Sequence, residues 1–459
     1  MTKNNGLIHV MTGKDIEEKI EQYLSVREEE KNKFGEVFTP IKLIEEMLDK
    51  LPKSVWSNPD LKWLDPANGI GNFPMVVYQR LMKGLESWDS NNVRRSKHII
   101  QNMLFMVEMN PANVKISKQI FGSTANICCA DFLKTSEKCF SQFGINKFDI
   151  IIGNPPFQND TSGETAQGKH DLYPLFVNYS FTILSDKGYL LFVTPPKWRA
   201  PDKTGNLSKM WDIFQQYNFI FLKIFSPDET KRIFNGINAR VDYFLVQKNP
   251  SKSSTRIIDE ENKEYNINMT KLPFIPNHDI QTIRNIITTE SNGIKTIYSS
   301  SQYDKRKPHM SIKKTEQYKY PVRHSHTIKD GDINYWSKTK DVIEGKKYVQ
   351  MFGVPKVILI KGLHPYPYND YKGEYAMTNY SFGIPIKSES EGNKIVNAVN
   401  TNKFKKIIEA TKWTSNFTDH NMFNYFKSDF YKYFLKDKQA SKKTKNKKKS
   451  KKNMTRKRI

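Results

Sequence analysis

FDIIIGNPPF, residues 148–157, is the stretch on which the fold turns. Phe148 to Ile152 is a mostly apolar run suited to a buried strand, and Gly153 stops it. Pro155 and Pro156 cannot donate to a sheet ladder, so they lie beyond the strand's last hydrogen bond on backbone of fixed φ. Asn154 and Phe157 are thereby displayed on stiff chain at the carboxyl end of a strand, the edge at which open α/β sheets hold ligands.

Working outward, strand and helix patterns alternate on both sides of this segment. Residues 13–33 form a charged amphipathic pattern, and Thr39 and Pro40 open a helix whose apolar positions are Ile41, Leu43, Ile44, Met47, Leu48 and Leu51. LKWLDPANGIGNF reads as strand, glycine-rich turn and helix; MLFMVEMNP and ANICCADFL supply two more strands. After the polar loop QNDTSGETAQGKHD come the helix LYPLFVNYSFTIL, the strand GYLLFVTPP, and strands at FIFLKIF and ARVDYFLVQK. Such alternation predicts a mostly parallel sheet covered by helices on both faces. Beyond Asn249 the chain is polar, turn-rich and aromatic, as an α+β domain would be. The expected organisation is an N-terminal helical extension over 1–33, an α/β domain over 34–250, the second domain over 255–435 and a disordered basic tail over 436–459.

With 37% hydrophobic and 12% aromatic residues the chain can bury a core, and no apolar run approaches the roughly 18 residues of a membrane span. The start, MTKNNGLIHVMTGKD, lacks a signal-type apolar segment, so an intracellular protein without membrane attachment is expected. Cys128, Cys129 and Cys139 make no metal spacing and no disulfide framework; they read as small buried apolar residues, and no metal site is expected. The formal charge of +25 points to a polyanionic partner, although the tail alone, with 13 Lys or Arg against one Asp, supplies twelve of it. A run of that kind binds phosphates or acts as a nuclear-targeting signal.

In DPANGIGNF, residues 65–73, Gly69 and Gly71 let backbone approach a ligand and the following helix offers free N–H groups. A dinucleotide loop has the same glycines, but Asp65 before them would repel phosphates and suits an ammonium or sulfonium group instead. Glu108 ends the second strand, where dinucleotide-type folds bind ribose hydroxyls, and Asp131 ends the third. Three acids and NPPF at four strand ends would crowd one edge of one sheet.

FGEVFTP, DPANGIGNF, VEMNP, ADFL, IIGNPPF and GYLLFVTPPKW, in this order, resemble the motifs of the gamma-class N6-adenine DNA methyltransferases of restriction-modification systems, over residues 34–250. The resemblance implies a Rossmann-like S-adenosylmethionine-dependent methyltransferase domain with a mixed, mostly parallel sheet, followed by an α+β target-recognition domain. It implies further that Phe38, Thr39 and Pro40 line the methionine end of the cofactor, that Asp65, Ala67, Gly69 and Gly71 hold its amino acid and sulfonium region, and that Glu108 meets the ribose. Asp131 and Phe132 would meet its adenine. Where relatives often have Cys and Ser, this chain has Asn68 and Ile70, and Ile70 would put bulk near the cofactor; Phe157 stands where many have Tyr.

The opening segment then acquires a mechanical reading. The Asn154 side-chain oxygen, which also borders the cofactor, and the Pro155 carbonyl would accept the two N–H bonds of an adenine amino group. Its lone pair would turn toward the methyl donor, with Pro156 stiffening the segment and Phe157 stacking on the extracted base. Residues 158–171 could close over DNA; Phe234 reads as a core residue. Base reading would fall to the second domain, with Arg306, Lys307, Arg323, His324, His326 and His364 as candidates. Double-stranded DNA is the expected partner and a monomer the expected state. Only about 33 residues precede FGEVFTP, so any cognate restriction endonuclease would be a separate chain. Alternatives are a methyltransferase for an rRNA base or a protein glutamine, and a DNA-binding relative without catalysis.

Overall fold

The computed structural model describes residues 39–435 apart from 158–170, 202, 235–238, 252, 328, 330, 341–347, 363 and 414–417. The 13–33 helix, Phe38, the loop expected to close over DNA and the basic tail therefore fall outside the described residues. The chain divides into two compact units, the first ending at Lys271 and the second beginning at Leu272, with a short segment from Arg199 counted in the second.

The first unit is a nine-stranded sheet in the order β3-β2-β1-β4-β5-β7-β6-β8-β9. Its strands are β1 (Trp63–Asp65), β2 (Leu104–Glu108), β3 (Asn126–Cys129), β4 (Phe148–Gly153), β5 (Leu184–Thr194), β6 (Asn218–Ile224), β7 (Asp242–Gln247), β8 (Thr255–Ile258) and β9 (Glu264–Ile267). The first five pair in parallel, and β7 runs antiparallel between β5 and β6. The helices are α1 (Ile41–Leu48), α2 (Asn72–Gly84), α3 (Asn92–His98), α4 (Pro111–Phe121), α5 (Phe132–Phe143), α6 (Tyr173–Ile183), α7 (Asn206–Gln216) and α8 (Pro227–Ile233).

Both sheet faces are covered, for the reason the strands are apolar throughout. Leu43, Ile44, Met47, Val76, Leu81 and Ile120 pack on one face with Ile150 and Ile152. On the other, Phe140 meets Phe148 edge-on at 5.1 Å and Trp198 meets Phe214 edge-on at 4.9 Å. Phe234 is buried in the first of these cores, as expected. The sheet continues past residue 250: β8 pairs in parallel with β6 and β9 closes the edge, so residues 255–267 complete the first unit instead of opening the second. Polarity misled here, because an edge hairpin such as Arg256–Glu264 exposes a charged face.

In the second unit a four-stranded sheet, β10-β12-β11-β15, and a three-stranded sheet, β14-β13-β16, are accompanied by short helices. Its strands are β10 (Met310–Ser311), β11 (Tyr320–Thr327), β12 (Gly331–Ser337), β13 (Lys356–Ile360), β14 (Tyr368–Asp370), β15 (Ala376–Met377) and β16 (Ser381–Pro385). At its heart the Lys356 ammonium, without solvent exposure, bonds the Asp370 carboxylate at 2.7 Å and the Met351 carbonyl at 2.8 Å. Removing either partner would strand the other charge in the interior.

Candidate functional site

Because β1 lies between β2 and β4 while the chain order reverses there, the carboxyl ends of β2, β1 and β4 form the switch point of the sheet. Asp65 ends β1 and is 2% exposed. Its Oδ1 accepts the Ala67 N–H at 3.0 Å, and no basic side chain pairs with it among the described residues. Burial pushes its carboxyl up to about 8; the Ala67 bond opposes this and the Glu108 charge adds to it. Next to it, Gly153 takes a φ of 153°, and a Cβ there would stand 2.9 Å from Asp65 Oδ1. Only a glycine lets β4 end this close to the acid.

The turn after Asp65 is held by the Glu108 carboxylate and the β2 backbone. Gly69 N–H donates to Glu108 Oε2 and Asn110 N–H to Glu108 Oε1, both at 2.7 Å, while Asn68 N–H donates to the Val107 carbonyl. Gly71 begins α2 at a φ of 102°, and a Cβ on it would lie 2.7 Å from the Phe121 ring, so this glycine serves packing as well as conformation. Asn72 Nδ2 donates to the Thr39 carbonyl at 3.1 Å, tying the Thr39–Pro40 segment to the start of α2. Ile70 points away from the turn into the core, at 1% exposure, so the bulk expected near the ligand is absent.

Asp131 caps α5, its Oδ1 accepting the Leu133 N–H at 3.0 Å, and Lys134 approaches its other oxygen. Phe132 is 2% exposed, stacked on Phe176 at 5.1 Å, which leaves the acid and not the ring at the rim. After β4, Asn154 and Phe157 are half-buried, Pro155 is buried and Pro156 exposed, and the Phe157 ring leans on the core. The Leu172 N–H donates to the Phe157 carbonyl at 3.1 Å, so the chain leaves for residues 158–170 and returns at one point.

Two residues at this edge were not among the expected site residues. Met109, directly after Glu108, is 68% exposed at the same edge. Cys129, opposite Glu108 in the β2–β3 register, is an exposed free thiol 3.8 Å from the Met109 carbonyl. Cys128 and Cys139 are joined in a disulfide. The expectation of three buried, unbridged cysteines is thus corrected: β3 is the sheet's edge strand, so neighbouring positions face α5 and solvent in turn. An edge position shows as two adjacent cysteines with no periodic cue.

Of the candidate base readers, Arg323 is 4% exposed and bonded to Asp332, and His324 is 8% exposed and bonded to Thr378 Oγ1 at 2.8 Å. Neither can reach a base edge as it stands, a correction caused by the packing of β11 against β15. Arg306 is exposed but forked onto the Asp304 carboxylate at 2.9 and 2.6 Å, which holds that acid far below its usual range. Lys307 is half-buried and His364 exposed.

Residues 79–234 match the family model described as Eco57I restriction-modification methylase. An uncharacterized adenine-specific methylase of Mycoplasma pneumoniae is 28% identical over 286 residues, covering 47% of this chain and 67% of that protein. The type II methyltransferase M.VspI of a Vibrio species is 27% identical over 37% of this chain and 39% of its own length. Among solved structures, a nuclease-deletion mutant of the type ISP restriction-modification enzyme LlaGI, in complex with a DNA substrate mimic, superposes with a TM-score of 0.51. The identity is 13%, over 87% of this chain and 46% of that one, a likeness of fold. The chain therefore spans two thirds of one curated relative and less than half of each of the other two proteins.

Proposed function

We infer that this chain, which carries an Eco57I restriction-modification methylase segment at residues 79–234, transfers the methyl group of S-adenosylmethionine to N6 of an adenine extracted from duplex DNA. One juxtaposition supports this above all: a buried acid with no basic partner among the described residues, Asp65, abuts the strand end that displays Asn154-Pro155-Pro156-Phe157.

The residues present fit the cofactor. Among the described residues, Thr39 Oγ1, Asn68 Oδ1 and Asn72 Oδ1 are buried polar atoms without a hydrogen-bond partner, the last two in the turn after Asp65 and the start of α2, and Thr39 tied to Asn72, as a zwitterionic amino acid group would require. Asp65 would balance its positive charge, Glu108 would accept from the ribose hydroxyls with its remaining lone pairs, and Met109 and Asp131 would flank the adenine. When bound, S-adenosylmethionine supplies an electrophilic methyl group on a sulfonium. The chain's own part is orientation. The Asn154 oxygen and the Pro155 carbonyl accept the N–H bonds of the target amino group, which pulls its lone pair out of the ring plane toward the methyl. Phe157 stacks on the base, worth roughly 1–3 kcal/mol against the cost of unstacking it. No thiol nucleophile or general base is needed.

The test is incubation with radiolabelled S-adenosylmethionine and mixed-sequence duplex DNA. N6-methyladenine at one short motif is expected; label in RNA or protein with none in DNA would replace this reading by the rRNA-base or glutamine alternative. A second readout needs no turnover. Cys129 lies beside the proposed adenosine end, so saturating S-adenosylmethionine should slow its alkylation by a maleimide at least about tenfold, measured by mass spectrometry, since reactivity follows exposure. Equal rates with and without the cofactor would place the adenosine elsewhere.

A further inference from the structure

Within the second unit, the β11–β12 hairpin departs from regular pairing between Arg323 and Ser325. Such an irregularity re-aims the side chains beyond it. Here it turns His324 inward, against Thr378, Tyr335 and Tyr380, and leaves His326 near the tip, opposite Asp332. His326 Nδ1 meets Asp332 Oδ1 at 2.7 Å, and its ring stacks on Tyr366 at 3.8 Å and 26°. Tyr366 has a φ of 35°, a left-handed conformation that a non-glycine residue keeps only where its surroundings hold it. Asp332 is anchored in turn by the buried Arg323, whose guanidinium lies 5.2 Å over Tyr368. Burial alone would raise the Asp332 carboxyl, but the Arg323 and His326 bonds bring it below its ordinary value. With Nδ1 donating to Asp332, the neutral imidazole presents Nε2, across the ring, as an acceptor.

The same sheet carries cations held over aromatic rings: Lys314 over Trp336 at 5.0 Å, Lys338 over Tyr318 at 4.9 Å and Lys340 over Tyr320 at 5.4 Å. These ammonium groups can meet phosphates without reading sequence.

We propose that His326, oriented by Asp332 and propped on Tyr366, is a sequence-reading residue that accepts a hydrogen bond from the exocyclic amino group of an adenine or cytosine in the major groove. The inference rests on the DNA methyltransferase reading above and deepens it. Of the six candidates, His326 alone combines partial exposure with a fixed ring orientation.

The experiment methylates a randomised duplex library with the unaltered protein, His326→Ala, His326→Gln and Lys314→Ala, and sequences the modified bases. For His326→Ala, discrimination at one non-methylated position restricted to A or C should fall by at least about tenfold, the size expected for one base contact. His326→Gln should shift that position toward adenine, which an amide can bond twice. Lys314→Ala should weaken all sites alike. An unchanged profile with both His326 variants, or a uniform loss across all sequences while the melting temperature holds, overturns the proposal. No N6-methyladenine from the unaltered protein would overturn the parent activity, and this assignment with it.

Discussion

Asn154→Ala lowers methyl transfer by about a hundred- to a thousandfold while leaving S-adenosylmethionine affinity within about threefold; this is the expected result of single-turnover and equilibrium-binding measurements. The magnitude is that of removing one preorganised polar partner from developing charge. The separation follows from position: Asn154 follows β4, whereas the groups assigned to the cofactor's amino acid and adenosine stand at Thr39, on β1 and β2, and in the segments after β1, β2 and β3. The prolines carry the second half of the argument. Pro155 is buried, so its carbonyl cannot swing to compensate for the lost side chain. A variant that lost cofactor affinity in proportion to activity would show Asn154 to be a cofactor ligand first, and the mechanism would fail.

Asp65→Asn is expected to abolish cofactor binding yet make the unliganded protein more stable at alkaline pH. Burial holds the Asp65 carboxyl near 8, against 3.8 for an exposed one. Below the lower value the group is protonated in folded and unfolded chains alike, and its contribution is fully present. As pH rises from about 4 toward 8 the unfolded chain releases this proton and the folded chain keeps it, so each pH unit removes up to about 1.4 kcal/mol. An asparagine has no proton to lose, and its side-chain oxygen can still accept from Ala67. Melting temperatures at pH 5 and pH 8 should therefore fall further for the unaltered protein than for the variant. S-adenosylmethionine should restore the difference only where Asp65 is present, because a cation beside the carboxylate removes the reason for its protonation. Equal pH dependence of the two proteins would sink this account of Asp65.

Much of the fold was legible because the signal is short-ranged. Apolar strands at 104–108, 148–153 and 184–194, separated by helix patterns, give a parallel sheet under the connection rules of α/β chains. NPPF and the acids at strand ends were readable for the same reason: proline and glycine mark strand termini locally. Side-chain direction was less legible. Ile70 turned inward because α2 packs its first residues against the sheet, and Arg323 and His324 were buried by β15, a strand more than fifty residues away. The β8–β9 hairpin looked like part of another domain because its outer face is charged. The burial of Arg323 and His324 and the attachment of β8 to β6 depend on partners distant in sequence, which composition and periodicity do not register.

Through the two amide bonds that it accepts from Gly69 and Asn110, the Glu108 carboxylate braces the turn after β1 and the segment after β2 against one another. Replacing it by alanine would therefore unfasten two strand-end segments at once, and the damage would spread along the rim instead of staying at one contact.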